Sequence, residues 1–269
     1  MRHLPNRRTA LKLAAAGGLS AILAPWPTPV FAGRTPLIAA AASLRFVMPE
    51  LLQAIRADKG HTLEVTYGSS GNLRRQIERG APFALFFSAD EAHARAVETA
   101  GLTDGDGAIY AVGRLSIFIP HGSPLKARGD LSDLEAALDD GRLTRFAIAN
   151  PAHAPYGRRA AEVLEHRGLM KRMSKHLLVA ENVAQAAQFA ATGGADGGLI
   201  AHSLAISPQL ISRGRSDKVA AAWHQPLKQR AVVLRGATPS ARAFFDFVLD
   251  QSGRRILERH GLETSKTSV

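Results

Sequence analysis

Residues 37–90 read LIAAAASLRFVMPELLQAIRADKGHTLEVTYGSSGNLRRQIERGAPFALFFSAD. The run 37–41 is a buried strand candidate, and 63–67 and 83–87 are predicted as the next strands. Between them, 46–57 and 73–79 read as helices. The first sets Phe46, Leu51, Leu52 and Ile55 at helical spacing. The alternation runs on through the chain. A helix is predicted over 91–100, with strands over 115–120, 146–149, 177–179, 199–201, 219–223 and 231–234. Further helices are predicted over 160–167, 184–191 and 241–249. Strands that alternate with helices imply an α/β fold with a mostly parallel, doubly wound sheet.

In such sheets ligands sit beyond the carboxyl ends of the strands, where loops lead into helices. Four loops carry small or polar residues at that place: Ala42-Ser43, Gly68-Ser69-Ser70-Gly71, residues 150–157, and Glu181-Asn182-Val183. Each opens a helix, whose first turn offers unpaired N–H groups and partial positive charge. That suits an anion. Taken singly, Ser43 and Ser70 also fit as helix N-caps, a position that favours serine.

The chain begins differently. Residues 1–12 carry Arg2, Arg7, Arg8 and Lys12 and no acid, and 13–24 are apolar or small. Pro25, Pro27 and Pro29 follow, then Val30-Phe31-Ala32. A basic start, a short apolar run and a small-residue site make a cleavable signal peptide over 1–32, cut near Ala32. The apolar run falls short of the about 20 residues a membrane span needs. Arg7-Arg8-Thr9-Ala10-Leu11-Lys12 fits the twin-arginine pattern, so a periplasmic protein is expected. Without cysteine the chain has no disulfide, no thiolate metal site and no lipid-anchoring Cys. Loss of 1–32 leaves 237 residues and takes the formal charge from +11 to +7. The basic residues are scattered, as in Arg74-Arg75 and Arg254-Arg255, and few aromatics lie among them. That argues against a nucleic-acid surface.

No catalytic constellation assembles. Gly68-Ser69-Ser70-Gly71 lacks the G-x-S-x-G spacing, and neither a P-loop nor an H-E-x-x-H occurs. His153 and His202 fall in or beside candidate loops, and a lone loop histidine is ordinarily solvated. With no base placed beside Ser70, an exported hydrolase is the weakest reading.

The runs 39–44, 67–73, 76–82 and 86–90 occur in the order found in periplasmic molybdate-binding proteins. Asn150-Pro151-Ala152-His153-Ala154-Pro155-Tyr156-Gly157 and Glu181-Asn182-Val183 are similar to that family's second-lobe loops, and 243–247 and 256–261 to its closing helices. The resemblance implies a type II periplasmic binding protein: two doubly wound α/β lobes joined by crossing hinge strands, with the ligand cleft between. It places lobe 1 at 33–112 plus 230–269 and lobe 2 at 113–229. It implies that Ser43 and Ser70 give hydroxyl and N–H donors to the ligand, and Tyr156 and Val183 backbone N–H donors. Ala201 stands where some members carry a ligand-contacting Tyr, and Ala84 where Asp is common. The implied ligand is a tetrahedral dianion, molybdate or tungstate, with no further cofactor and no directly bound metal cation. The implied partner is an inner-membrane ABC permease, and the protein a non-enzymatic monomer. A relative that binds a different anion or a small metabolite is the alternative.

Overall fold

A computed structural model describes residues 35–264. The predicted signal peptide, its twin-arginine motif and its cleavage site lie outside these residues. Among the described residues the strands are β1 (Leu37–Ala41), β2 (Glu64–Gly68), β3 (Phe83–Phe87), β4 (Ala108–Gly113), β5 (Leu115–Pro120), β6 (Phe146–Ala149), β7 (Leu177–Ala180), β8 (Gly197–Ala201), β9 (Gly214–Lys218) and β10 (Leu227–Val233). They form two five-stranded sheets, in the orders β2-β1-β3-β10-β4 and β7-β6-β8-β5-β9. Each sheet anchors one α/β lobe.

The two sheets share a plan. In each, three strands pair in parallel, and the fourth in spatial order runs against both of its neighbours. The reversed strands are β10 and β5, and each is the strand by which the chain arrives from the other sheet. Only Arg114 separates β4 from β5 on the way out, and residues 219–226 make the return. Leu227 pairs with Gly113, so the two crossings lie side by side.

The helices of the first lobe are α1 (Met48–Lys59), α2 (Ser70–Glu78) and α3 (Glu91–Thr99). Those that follow in the second are α4 (Ser132–Asp139), α5 (Pro155–His166), α6 (Met170–Met173), α7 (Val183–Ala191), α8 (His202–Ala205) and α9 (Pro208–Ile211). After the return come α10 (Pro239–Leu249) and α11 (Gln251–Arg259). Strand side chains alternate between faces, and the first lobe shows it. Ile38, Ala40, Leu85, Phe87, Ala231 and Val233 pack with Leu51, Ile55, Phe244 and Leu257 of α1, α10 and α11. The intervening Ala39, Phe86 and Val232 pack with Leu73, Ile77, Ala94 and Val97 of α2 and α3. The sheet is thus covered on both faces, which is why its inner strands β1 and β3 read as unbroken apolar runs.

Three expectations change. The run 219–223 is not a strand: β9 lies just before it, and Ala221–Trp223 is a short 3-10 turn. β9 pairs along one side only, and Arg215 to Lys218 are exposed, so it has no apolar pattern to find. The helices α2 and α5 begin earlier than predicted, at Ser70 and Pro155. Proline fits the first helical turn because its missing N–H would be unpaired there anyway, and extended Ala154 before it is the conformation proline imposes. Finally, neither Ser43 nor Ser70 is a cap residue. Ser43 lies inside the 3-10 turn Ala42–Leu44, and Ser70 follows the N-cap Ser69.

Candidate anion-binding cleft

The early helix starts decide what the loops present. Ser70 is the first residue of α2, Tyr156 the second of α5 and Val183 the first of α7. At these positions a backbone N–H has no acceptor within its own helix. All three starts converge, with the 3-10 turn that carries Ser43, on one small cavity of about 200 Å³. Residues 41–43, 68–70 and 89 wall it from the first lobe, and residues 154–156, 182 and 183 from the second. No Asp, Glu, His, Lys or Arg is among them. A larger groove runs beside β5 and β9, but it gathers none of the three helix starts.

The two serines are prepared differently. Ser70 Oγ accepts a hydrogen bond from the Ala89 N–H (2.9 Å), which occupies a lone pair and leaves its proton to donate. Ala89 is itself set by a tight turn: the Ser88 hydroxyl donates to the Asp90 carboxylate (3.2 Å), and Asp90 caps α3 by accepting from the His93 N–H (3.0 Å). Burial works to raise the Asp90 pKa, but hydrogen bonds from His93 outweigh it and hold the carboxyl below its ordinary value. Ser43 Oγ is buried with no well-aligned hydrogen-bond partner, an arrangement that costs free energy unless a ligand uses it. Its backbone is fixed from behind, since the Ser203 hydroxyl donates to the Ser43 carbonyl (2.8 Å).

The second lobe holds its donors by backbone. Asn182 caps α7, its side-chain oxygen accepting from the Ala184 and Gln185 N–H groups (3.1 Å each). Val183, the first residue of that helix, lines the cavity. Tyr156 turns its ring into the core and its hydroxyl towards the crossing strands. Gln229 Nε2 donates to that hydroxyl (3.0 Å), and Tyr110 donates to Gln229 Oε1 (2.7 Å). Burial drives both phenols above their ordinary pKa; for Tyr156 the bond from Gln229 and the nearby Ser43 hydroxyl act the other way. Gly113 admits this chain: a Cβ there would stand 2.2 Å from the Tyr156 hydroxyl and 2.5 Å from Gln229 Nε2.

The four residues singled out in the sequence, Ser43, Ser70, Tyr156 and Val183, therefore surround one cavity. Ser69, Asn182 and Ala89 were not singled out; the first two lay in the quoted loops, and Ala89 in the run 86–90. Ala201 is fully buried at the end of β8 and does not line the cavity, and Ala84 lies within β3. The two loop histidines are not simply solvated. His153 Nδ1 lies 2.8 Å from Ser69 Oγ, and half-buried His202 Nδ1 lies 2.9 Å from Ser116 Oγ. Among the described residues no group of three or more His, Asp or Glu side chains could hold a metal ion, and no helix is long and apolar enough to cross a membrane.

Comparison with known proteins agrees with this architecture. Residues 36–263 match the family model of bacterial extracellular solute-binding proteins. The molybdate-binding protein ModA of Rhodobacter capsulatus is 35% identical over 232 residues, 84% of this chain and 88% of that protein. Its counterpart in Azotobacter vinelandii is 31% identical over 227 residues, 83% and 88% of the two chains. The solved periplasmic molybdate-binding protein of Azotobacter vinelandii superposes with a TM-score of 0.77 at 26% identity, covering 87% of this chain and all of that one. The sulfate-binding protein SubI of Mycobacterium tuberculosis shares the fold, with a TM-score of 0.70 at 16% identity over 87% of this chain and 88% of that one. Two mixed five-stranded lobes, three helix starts around one small cavity, and these relatives lead to one assignment: the chain belongs to the bacterial extracellular solute-binding protein family, in the group that contains the periplasmic molybdate-binding proteins.

Proposed function

We propose that this protein captures a tetrahedral oxyanion dianion, molybdate or tungstate, outside the cytoplasm and hands it to an inner-membrane ABC permease. The observation that carries the reading is the cavity wall: two serine hydroxyls and the first turns of three helices, with no carboxylate among the lining residues. A fully deprotonated oxyanion accepts hydrogen bonds and has none to give. Neutral donors and helix N-termini stabilise it without a counter-charge. Hydrogen phosphate carries a proton that needs an acceptor, and the wall offers it no carboxylate.

In this reading Ser43 and Ser70 donate hydroxyl and N–H groups, and Tyr156 and Val183 donate N–H groups. Residues 33–112 and 230–269 form one lobe and 113–229 the other, and they close on the anion about the crossings near Arg114 and 219–226. No bond is made or broken, so the protein works as a carrier, in this reading as a monomer. Residues 1–32 direct export to the periplasm by the twin-arginine route and are removed. Calorimetric titration of the exported protein with molybdate, tungstate, sulfate and phosphate tests the assignment. Molybdate and tungstate should bind tightly and phosphate weakly at neutral pH. Phosphate binding as tight as molybdate binding would overturn it.

A further inference from the structure

We infer that Gly71 and His153 form a latch that closes the cleft from lobe to lobe and sets how long a captured anion stays. The inference rests on the reading of the cleft as an anion site.

Gly71 is the second residue of α2, on the first lobe, and its N–H donates to the carbonyl of His153 on the second (2.9 Å). One of the orphan donors of α2 is thus capped by the backbone of the opposite lobe, a bond that exists only when the lobes are together. The fit leaves no room for a side chain. A Cβ on Gly71 would stand 2.7 Å from His153 O, 2.9 Å from His153 Cβ and 3.0 Å from its Cα. These three nearest atoms all belong to the other lobe. Gly71 does not have the positive φ that explains many glycines, and alanine is the better helix former. Nothing in its own lobe therefore calls for glycine; the approach of His153 does.

The imidazole extends the contact. His153 Nδ1 meets Ser69 Oγ (2.8 Å), and His153 Nε2 lies 3.6 Å from a carboxylate oxygen of Glu181, in the loop before α7. Asn72 of α2 donates to Glu181 and accepts from Arg75. One histidine so gathers three loops that wall the cavity, and every one of these links bridges the lobes or steadies a residue that does. Apparent affinity in a hinged binder is the product of contact with the ligand and the closing equilibrium. Weakening the latch should speed release and leave capture by the open form alone.

The test uses molybdate with the exported protein and its Gly71→Ala and His153→Ala variants. Stopped-flow binding gives the two rates, and small-angle scattering reads compaction on adding the anion. Gly71→Ala should release molybdate at least about tenfold faster, within the range of measured couplings between sites. Its association rate should stay within about twofold, its ligand-free melting temperature should not fall, and its compaction should be lost. His153→Ala keeps the backbone carbonyl and should show a smaller rise in off-rate. A parent that binds molybdate beside a Gly71→Ala variant with the same off-rate and the same compaction overturns the latch and leaves the anion site standing. A parent that binds neither molybdate nor tungstate overturns the anion site, and the latch's role with it. Should Gly71→Ala fail to fold, His153→Ala decides: an off-rate equal to that of the parent overturns the inference.

Discussion

The two lobes face the cavity with different chemistry. The first lobe presents side chains: the hydroxyl of Ser70, held by the Ala89 N–H, and the hydroxyl of Ser43, whose own carbonyl is held by the Ser203 hydroxyl. The second presents main chain, the starts of α5 and α7, and turns its Tyr156 side chain away into a buried hydrogen-bonded chain. A donor carried by a side chain can be deleted by one substitution. A donor carried by the backbone survives any substitution that keeps the turn. The lobes should therefore respond to mutation in opposite ways.

The largest effect is expected on the first lobe. On the proposed function, Ser43→Ala and Ser70→Ala should each remove a hydrogen bond to a charged ligand, worth about 1.5–3 kcal/mol or roughly ten- to a hundredfold in affinity. The two differ in the empty protein. Ser43→Ala removes a buried hydroxyl that has no well-aligned partner and should not lower the melting temperature. Ser70→Ala strands the Ala89 N–H and should cost about 1–3 kcal/mol of stability. Titration and melting on the same preparations check both halves. Because both serines would touch one ion, the double variant should show non-additive loss.

On the second lobe, Asn182→Ala removes the cap of α7 and should cost about 1 kcal/mol of stability. Affinity should fall only a few-fold, because the Val183 N–H is loosened and not lost. Val183→Ala is the sharper control: it changes the side chain at that N–H and should bind nearly as the parent does. An effect there as large as that of Ser70→Ala, measured by the same titration, would end the contrast between the lobes.

Tyr156→Phe shifts the test to stability. It leaves the amide of fully buried Gln229 short of an acceptor, which should cost about 1–3 kcal/mol in denaturant unfolding. Anion affinity should hardly change if the Tyr156 contribution is its N–H. A large loss of affinity would instead make the hydroxyl a ligand contact.

The smallest effect is expected from pH. Burial lowers the pKa of His202 and His224 on the second lobe below the ordinary 6.5, so the folded protein prefers both neutral. The unfolded chain then binds more protons just below 6.5, and stability falls as pH drops through that window. On the first lobe, the depressed Asp90 gives stability that is present above its ordinary 3.8 and lost only in stronger acid. Melting temperatures from pH 7 to pH 5 should decline, and His202→Asn should flatten the decline.

Much of this was legible in the sequence for a physical reason. Strands β1, β3 and β6 are buried on both faces and write unbroken apolar runs, and β5 is broken only by buried Ser116. β9, exposed and paired on one side, writes nothing comparable. The helix starts that build the cleft were the hardest part to place. Ser70-Gly71 and Pro155-Tyr156-Gly157 look like loop residues because glycine and proline usually break helices, yet both are tolerated in a first turn. Residue types thus pointed to the four loops, while local propensity hid where each helix begins. The Gly71–His153 contact had no local signal at all, since it depends on how one lobe lies against the other.

The side-by-side crossings also bear on how the chain reaches this fold. Because Leu227 pairs with Gly113, everything between them is a single uninterrupted insertion that makes a sheet of its own. Its contacts can form as soon as that segment is available. The first sheet has no such freedom: β10 must lodge between β3 and β4, so the place between those two strands stays empty until the chain returns from the second lobe. Closing so long a loop carries an entropic cost that a folded insertion, holding its two ends together, would already have met. The second lobe is thus positioned to act as the nucleus, and the first to complete its sheet around ends already brought together.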